Sequence, residues 1–294
     1  MNHKALLKPL ATSAVALLLM LAVGCTTKTP SDMGMSSPDM VWTAFRQQYC
    51  VTQDTTAIKV TASLYFTRVA PRKRTNRTLM TLWGDTNGTM RLDLAASIGT
   101  SLAHIREDDS GLLVFYPSDK EAYTHADPVL GVTRLGMPFP FSVAELGRVL
   151  TGQFSDLVPA QYKSVEQRST PDGGFRFMMT DPVVSSISLD REGRPVRITG
   201  PRAHPSDHAP RWVLEIDRFD TVSPDSAPLP GRITLTLNTG EKGVLHIKSR
   251  EFILTAWPAK SLALPLPEGI VPIRLDAGNH DQQTGDIPVT HEDR

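Results

Sequence analysis

The feature that most constrains this chain is a series of short segments in which apolar and polar side chains alternate. Each segment is closed by a turn signal. In Lys59 to Thr67, Val60, Ala62, Leu64 and Phe66 alternate with Lys59, Thr61, Ser63 and Tyr65. Met90, Leu92, Leu94 and Ala96 alternate with Arg91 and Asp93. Successive side chains of a strand point to opposite faces, so this period of two marks half-buried antiparallel strands. Asp85-Thr86-Asn87-Gly88, Ser97-Ile98-Gly99, Asp108-Asp109-Ser110-Gly111, Asp172-Gly173-Gly174 and Arg191-Glu192-Gly193 are turns by composition.

Further strand segments follow at Leu79–Trp83, Ser101–Arg106, Leu112–Tyr116 and Glu121–His125. After residue 160 come Tyr162–Gln167, Gly174–Thr180, Val184–Asp190, Val196–Thr199, Arg211–Phe219, Arg232–Asn238 and Val244–Leu254. The expected total is about eleven strands in a β-meander. Residues 69–77 read as a loop. A single antiparallel sheet of this size must curl to bury its apolar face. Helices are few. Ser37-Pro38 starts one, with Val41, Trp42, Phe45 and Tyr49 at helical spacing over 38–49. Asp127-Pro128 opens a second over 128–134, ended by Gly136. Ser142 with Glu145 forms a capping box for a third, whose face is Val143, Leu146, Val149 and Leu150. The expected fold is mainly β (α+β): one curved sheet forming a half-open barrel, with short helices as a lid over an apolar cavity. Low aromatic content (6%) with 20 Gly and 23 Pro fits many short strands and turns.

The N-terminus bears on compartment. Lys4 and Lys8 precede an apolar run from Ala11 to Val23, too short for a transmembrane span, so residues 1–24 read as a secretory signal. The run ends in Leu21-Ala22-Val23-Gly24-Cys25, which resembles the lipobox of bacterial lipoproteins. That resemblance implies cleavage before Cys25 and lipidation of its sulfur and new N-terminus. Several acyl chains hold a protein on a membrane where one does not. The alternative is an ordinary signal peptide with an incidental cysteine. In the enteric-type sorting rule, the absence of Asp after the cysteine, here Thr26, favours the outer membrane. Residues 25–37, rich in Thr, Ser, Pro and Met, read as a flexible tether. With Cys25 lipidated, Cys50 is the remaining thiol and reads as a small buried hydrophobe. Residues 38–274 form the expected domain, and 275–294 are a polar, acidic tail read as disordered.

Charge and motifs exclude several function classes. Lys plus Arg and Asp plus Glu each number 31, and nucleic-acid binding would demand a strongly basic surface. No Gly-x-Ser-x-Gly elbow, P-loop or dinucleotide glycine pattern is present. His204, Asp207 and His208 could offer three metal ligands, but they lie in a Pro-rich loop without an obvious fourth, and neither a metal nor a cofactor is expected. Scattered Ser, His and Asp residues form no triad without geometry. Arg72, Lys73, Arg74 and Arg77 are either a contact for anionic head groups or an acidic partner, or a solvated hairpin tip with edge-protecting charge. Ile98, a branched apolar residue directly before Gly in a turn, is either exposed for a membrane or partner or folded back onto the core. Leu64, Phe66, Leu82, Met90, Leu92, Leu94, Phe115, Phe177, Met179, Trp212, Leu214, Leu235 and Leu245 are the expected inward-facing residues, either plain core or the wall of a ligand cavity.

Met90-Arg91-Leu92-Asp93-Leu94, then Ser97-Ile98-Gly99-Thr100, and later Leu135-Gly136-Met137-Pro138-Phe139-Pro140 resemble the LolB-type outer-membrane lipoprotein receptors. Arg232–Leu237 and Val244–Ile253 resemble that family's closing hairpin, and the similarity spans most of residues 38–254. A broader LolA/LolB-like relative with different cargo fits the same motifs. The resemblance implies a cavity that takes acyl chains of lipoproteins from a periplasmic LolA-like carrier. It also implies a monomer anchored to the outer membrane, facing the periplasm, with Ile98 at the position of the exposed Leu that inserts cargo. The family's Pro-Leu-Gly is here Ser97-Ile98-Gly99. The chain therefore reads as a binding or carrier protein rather than an enzyme. The alternatives are a structural or sensor lipoprotein that uses the same fold to bind a partner protein, and an envelope hydrolase.

Overall fold

A computed structural model describes residues 37–51, 57–137, 141–167, 174–181, 183–201, 211–223 and 226–277. The signal peptide, Cys25, nearly all of the tether, the His204 to His208 loop and residues 278–294 lie outside the described residues.

The alternating segments become strands β1 (Ala57–Arg68), β2 (Arg74–Asp85), β3 (Met90–Ala96), β4 (Ser101–Asp108), β5 (Gly111–Tyr116) and β6 (Glu121–His125). Then follow β7 (Ser164–Gln167), β8 (Phe175–Met178), β9 (Ser186–Leu189) and β10 (Pro195–Pro201). β11 (Arg211–Asp220), β12 (Leu229–Leu237), β13 (Lys242–Ile253) and β14 (Ile273–Arg274) complete the set. All fourteen described strands lie in one curved, unclosed sheet, in the order β14-β6-β5-β4-β3-β2-β1-β13-β12-β11-β10-β9-β8-β7. Hairpins account for nearly every pairing. The one long-range junction between the halves is β1 on β13, which pairs from Ala57↔Ile253 to Thr67↔Lys242.

Three expectations need correction. The described residues form fourteen strands rather than about eleven: each of the thirteen segments named from the sequence pairs, down to the four-residue β7, β8 and β9, and β14 adds a member without any alternation. β14 also pairs parallel to β6, so the sheet is not purely antiparallel. The loop expected at 69–77 is shorter, since β2 pairs with β1 out to Arg68↔Arg74. The residues from Arg74 to Arg77 are exposed and polar, so they carry no burial pattern, yet their backbone continues the ladder.

Register fixes two faces. Val60, Leu82, Leu92, Ile105 and Val114 share the inner face across β1 to β5, and Leu245, Ile233, Leu214, Ile198, Ile187 and Phe177 continue it from β13 to β8. Short helices cover this face: α1 (Pro38–Tyr49), α2 (Pro128–Arg134) and α3 (Val143–Leu150). α1 packs Trp42 against Phe177 with ring centroids 4.9 Å apart, and Phe45 and Tyr49 against Phe154. α2 rests on β5 and β6, and α3 on β1, β3, β4 and β12. α2 is capped by the Asp127 carboxylate, which accepts from the N–H groups of Val129 and Leu130. α3 starts in the expected Ser142–Glu145 capping box.

The outer face carries a strap that alternation does not reveal. After β13 the chain passes Trp257 and a one-turn helix, α4 (Ala259–Leu262), then returns to pair as β14. Trp257 donates from its backbone to Asp85 Oδ1 (2.9 Å) and from its indole to the Ile58 carbonyl (3.2 Å). Trp83 donates to the Ser261 carbonyl (3.3 Å), and Arg91 donates to the Ala263 carbonyl. The strap ends with Leu275 N–H on the Thr124 carbonyl (2.9 Å) and Arg134 donating to the Leu275 carbonyl. It thus crosses from β1 to β6.

Candidate functional site

Two places in this fold can act on an apolar ligand: the covered inner face and the exposed hairpin tip of β3–β4. Of the thirteen residues expected to face inward, Leu64, Leu82, Met90, Leu92, Phe177, Met179, Trp212, Leu214, Leu235 and Leu245 are buried in the core. Phe66 and Leu94 are half-buried and pack against that core. Phe115 is a correction. It pairs with His104, while Val114 pairs with Ile105, so Phe115 lies on the outer face. Leu112-Leu113-Val114-Phe115-Tyr116 is apolar throughout, and a run without alternation does not specify which face each residue takes. The strap is pinned at β3 and β6, on either side of β4 and β5, and Phe115 of β5 stands opposed to Ala122 of β6, both buried.

The inner face is packed in this state. Between Leu146 and Val149 of α3 and Leu214, Leu235 and Leu245 of the sheet, a cavity of about 10 Å³ remains, too small for an acyl chain. Gly147 lets α3 sit this close. A Cβ there would stand 3.0 Å from Met90 Cε, 3.3 Å from Ile58 Cδ1 and 3.4 Å from Leu82 Cδ2. Trp212, also on the inner wall, is 1% exposed and sets its ring edge-on to Phe141 at 5.0 Å. Its indole N–H has no acceptor among the described residues.

Charged side chains that alternation cannot identify hold α3 in place. Glu107 of β4, 8% exposed, accepts from Val143 N–H (2.6 Å) and Ala144 N–H (3.4 Å). Burial pushes its carboxyl above the usual range, and the hydrogen bonds from Val143, Ser142 and Ala144 oppose that shift. Arg250 of β13 donates to the Leu150 carbonyl (2.8 Å) and to the Pro230 carbonyl, and burial lowers its pKa. On the outer face, Arg91 donates to the Ile105 carbonyl (3.2 Å) and to Asp93 (3.3 Å), and stacks 5.1 Å over the Trp83 ring.

At the β3–β4 tip, Ile98 is 87% exposed. The turn is tight: Ala96 N–H donates to the Thr100 carbonyl and Gly99 N–H to the Ala96 carbonyl, both at 2.8 Å. Gly99 takes φ 91°, which a side chain would strain. The hairpin below it is clasped across its strands. His104 Nδ1 lies 2.8 Å from Asp93 Oδ1, and His104 Nε2 lies 2.9 Å from Ser101 Oγ. The order is that of a Ser-His-Asp relay, but the setting is a cross-strand pair. Asp93 is directly opposed to His104, and Ser101 precedes it on the same strand, with no strand-to-helix elbow to present the hydroxyl. The clasp steadies the hairpin that carries Ile98.

Cys50 is half-buried at the end of α1, and burial pushes its thiol up to about 11. Among the described residues no cluster of three His, Cys, Asp or Glu side chains could hold a metal ion, and no helix is long and apolar enough to cross a membrane.

An unclosed, curved sheet with short helices on its inner face is the LolA-like fold. The chain superposes on a LolA superfamily protein from Nitrosomonas europaea with a TM-score of 0.52 and 15% identity, covering 78% of this chain and 98% of that one. It also matches a domain assigned to outer membrane lipoprotein sorting from Vibrio parahaemolyticus, at a TM-score of 0.44 and 12% identity, covering 75% of this chain and 92% of that one. No family model and no curated protein matches the sequence.

Proposed function

We propose that this chain is a lipid-anchored protein of the cell envelope that takes acyl chains of lipoproteins or lipids against its inner face and delivers them to the outer membrane. The observation that carries this reading is the architecture of the inner face. One continuous apolar wall from β5 to β8 is covered by separate short helices instead of a second sheet. Helices can part from such a wall without breaking the backbone ladder. The cavity of about 10 Å³ is then the closed state, and cargo enters by displacing α3 and the segment leading into it from Phe141. An acyl chain fills the space with contacts like those it replaces, and the unpaired Trp212 N–H is a donor that an ester or amide carbonyl satisfies. Transfer needs no bond chemistry. Direction follows from affinity: the wall is better than water for an acyl chain and poorer than a bilayer.

Cys25 is the proposed anchor, a periplasmic LolA-like protein the proposed donor, and Ile98 the residue that meets the membrane at release. The test is transfer of an acylated lipoprotein to liposomes by the wild-type chain and by Ile98→Glu. The expected result is a folded variant that accepts cargo and fails to release it. Full transfer by Ile98→Glu would remove Ile98 from the mechanism.

The filled interior favours a second reading, a structural or sensor lipoprotein that binds a partner protein through the same fold. That reading requires no acyl ligand at any stage, which separates it from the first.

A further inference from the structure

Between Asp54 and Asp85 the chain carries six cations and no carboxylate. Lys59 pairs with Glu251 at 3.5 Å. The other five, Arg68, Arg72, Lys73, Arg74 and Arg77, gather on the outer half of the β1–β2 hairpin. Arg77 lies 5.9 Å over the Tyr65 ring and donates to Ser63 Oγ at 3.3 Å. Among the described residues, Arg68, Arg72, Lys73 and Arg74 have no ion-pair partner. Arg68 and Arg74 stand directly opposed in the ladder, an arrangement of like charges that weakens a hairpin left alone in water. Edge protection needs one or two charges, not a facing pair with three more beside it.

The cations are also placed asymmetrically. Two other described turns at this end are mixed in charge, with Asp119, Lys120 and Glu121 in one and Glu241 and Lys242 in the other. At the opposite end of the strands, Asp108, Asp109, Asp127 and Glu145 line a groove of about 730 Å³. Arg148 is the one cation among the described residues lining that groove, so on the β1–β6 side of the sheet the carboxylates gather at the end away from the basic hairpin. An anionic surface draws the hairpin end in and turns the acidic end away.

That same end carries Ile98. β2 pairs with β3 as far as Thr78↔Ala96, then runs four residues further with β1 alone, about 13 Å at strand rise. Ile98, two residues past Ala96, thus projects beside the flank of the basic hairpin. Val69 and Pro71 are exposed at the hairpin apex. Cations with apolar residues between them match a phospholipid interface, where the charges meet head groups and the apolar side chains enter below.

We propose that the Arg68–Arg77 hairpin docks on anionic phospholipid head groups and thereby sets Ile98 against the same bilayer. The inference rests on the reading of Ile98 as a membrane-contacting residue. Each Lys or Arg near a charged bilayer strengthens docking about fivefold, so neutralising Arg72, Lys73 and Arg74 lowers the docked-to-undocked ratio on the order of a hundredfold. High salt screens the effect.

The test uses the full chain reconstituted in liposomes, with Ile98→Cys labelled by a polarity-sensitive fluorophore. The raised pKa of the Cys50 thiol keeps it poorly reactive at neutral pH, and background from the unsubstituted chain is subtracted. Emission is read in phosphatidylcholine with and without phosphatidylglycerol, for this chain and for the same chain carrying Arg72→Gln, Lys73→Gln and Arg74→Gln. The expected result is a blue shift that requires phosphatidylglycerol and is lost in the triple variant or in high salt. An equal shift in both bilayers, unchanged by the triple variant, leaves Ile98 membrane-facing but overturns head-group docking and points the cations to an acidic protein. No shift in either bilayer overturns the reading of Ile98 and this inference together.

Discussion

Glu107 and Arg250 hold opposite ends of the same eight-residue helix, α3. One stands on β4 and the other on β13, with β3, β2 and β1 between them in the sheet. The carboxylate meets the N–H groups of the first turn and the guanidinium meets the last carbonyl, so each charge complements the helix dipole at its own end. Eight residues are too few for a helix to persist alone in water. α3 is held by its two charged ends and by the apolar face between them.

Glu107 gives this arrangement a pH signature. Its carboxyl is held above the usual range by burial, so the folded chain binds this proton more readily than the unfolded chain. Its contribution is therefore most favourable below the unfolded pKa and declines as pH rises through the folded one. Glu107→Gln keeps an acceptor for Val143 N–H and removes the titration. The variant should gain stability relative to wild type as pH rises across that window, measured by denaturant unfolding at several pH values. Glu107→Ala leaves the buried Val143 N–H and the partly buried Ala144 N–H without this acceptor and should cost about 1–3 kcal/mol. A wild-type-to-Gln difference that stays constant with pH would contradict the account.

Gly147 sets the distance between α3 and the sheet. Gly147→Leu would drive a branched side chain into Met90, Ile58 and Leu82. Overpacking of this kind costs about 1–3 kcal/mol, a fall of about 2–4 °C in Tm per kcal/mol for a domain of this size. Thermal unfolding of the variant reads it. An unchanged Tm would mean that α3 does not rest on those three residues.

Arg91 fastens the strap to the outer face. Arg91→Leu deletes donors to the Ile105 and Ala263 carbonyls and the stack on Trp83. The expected cost is about 2–4 kcal/mol. Amide exchange should quicken in residues 259–275 while the inner ladders from β1 to β13 stay protected. Uniform loss of protection would show that the strap is not a separable layer.

Much of this arrangement is legible in the sequence, and the exceptions have a common cause. Period-two alternation located β1 and β3 and set Leu64, Met90 and Leu92 inward, because a one-residue slip would bury Lys59 or Asp93. Helix starts at Ser37-Pro38, Asp127-Pro128 and Ser142 marked the three inner helices. Alternation fails where every residue is apolar, which misplaced Phe115, and where none is, which hid the start of β2 at Arg74. It also treats a charge in a strand as facing water. Arg91, Glu107 and Arg250 are buried because distant segments cover them, and the residues they meet lie far along the chain. The strap left one signal, the run of Trp257, Pro258, Leu262, Leu264, Pro265 and Leu266 after the last alternating segment. An apolar, Pro-rich stretch at that place has to lie on a surface rather than hang in water.

The central claim is that the inner face accepts an acyl chain. The most direct measurement is native mass spectrometry of the chain purified from an envelope without delipidation, followed by titration of the emptied protein with a long-chain acyl probe. The expected result is a bound lipid or acylated peptide as isolated and saturable one-to-one uptake of the probe. A bare chain that also refuses the probe would contradict it.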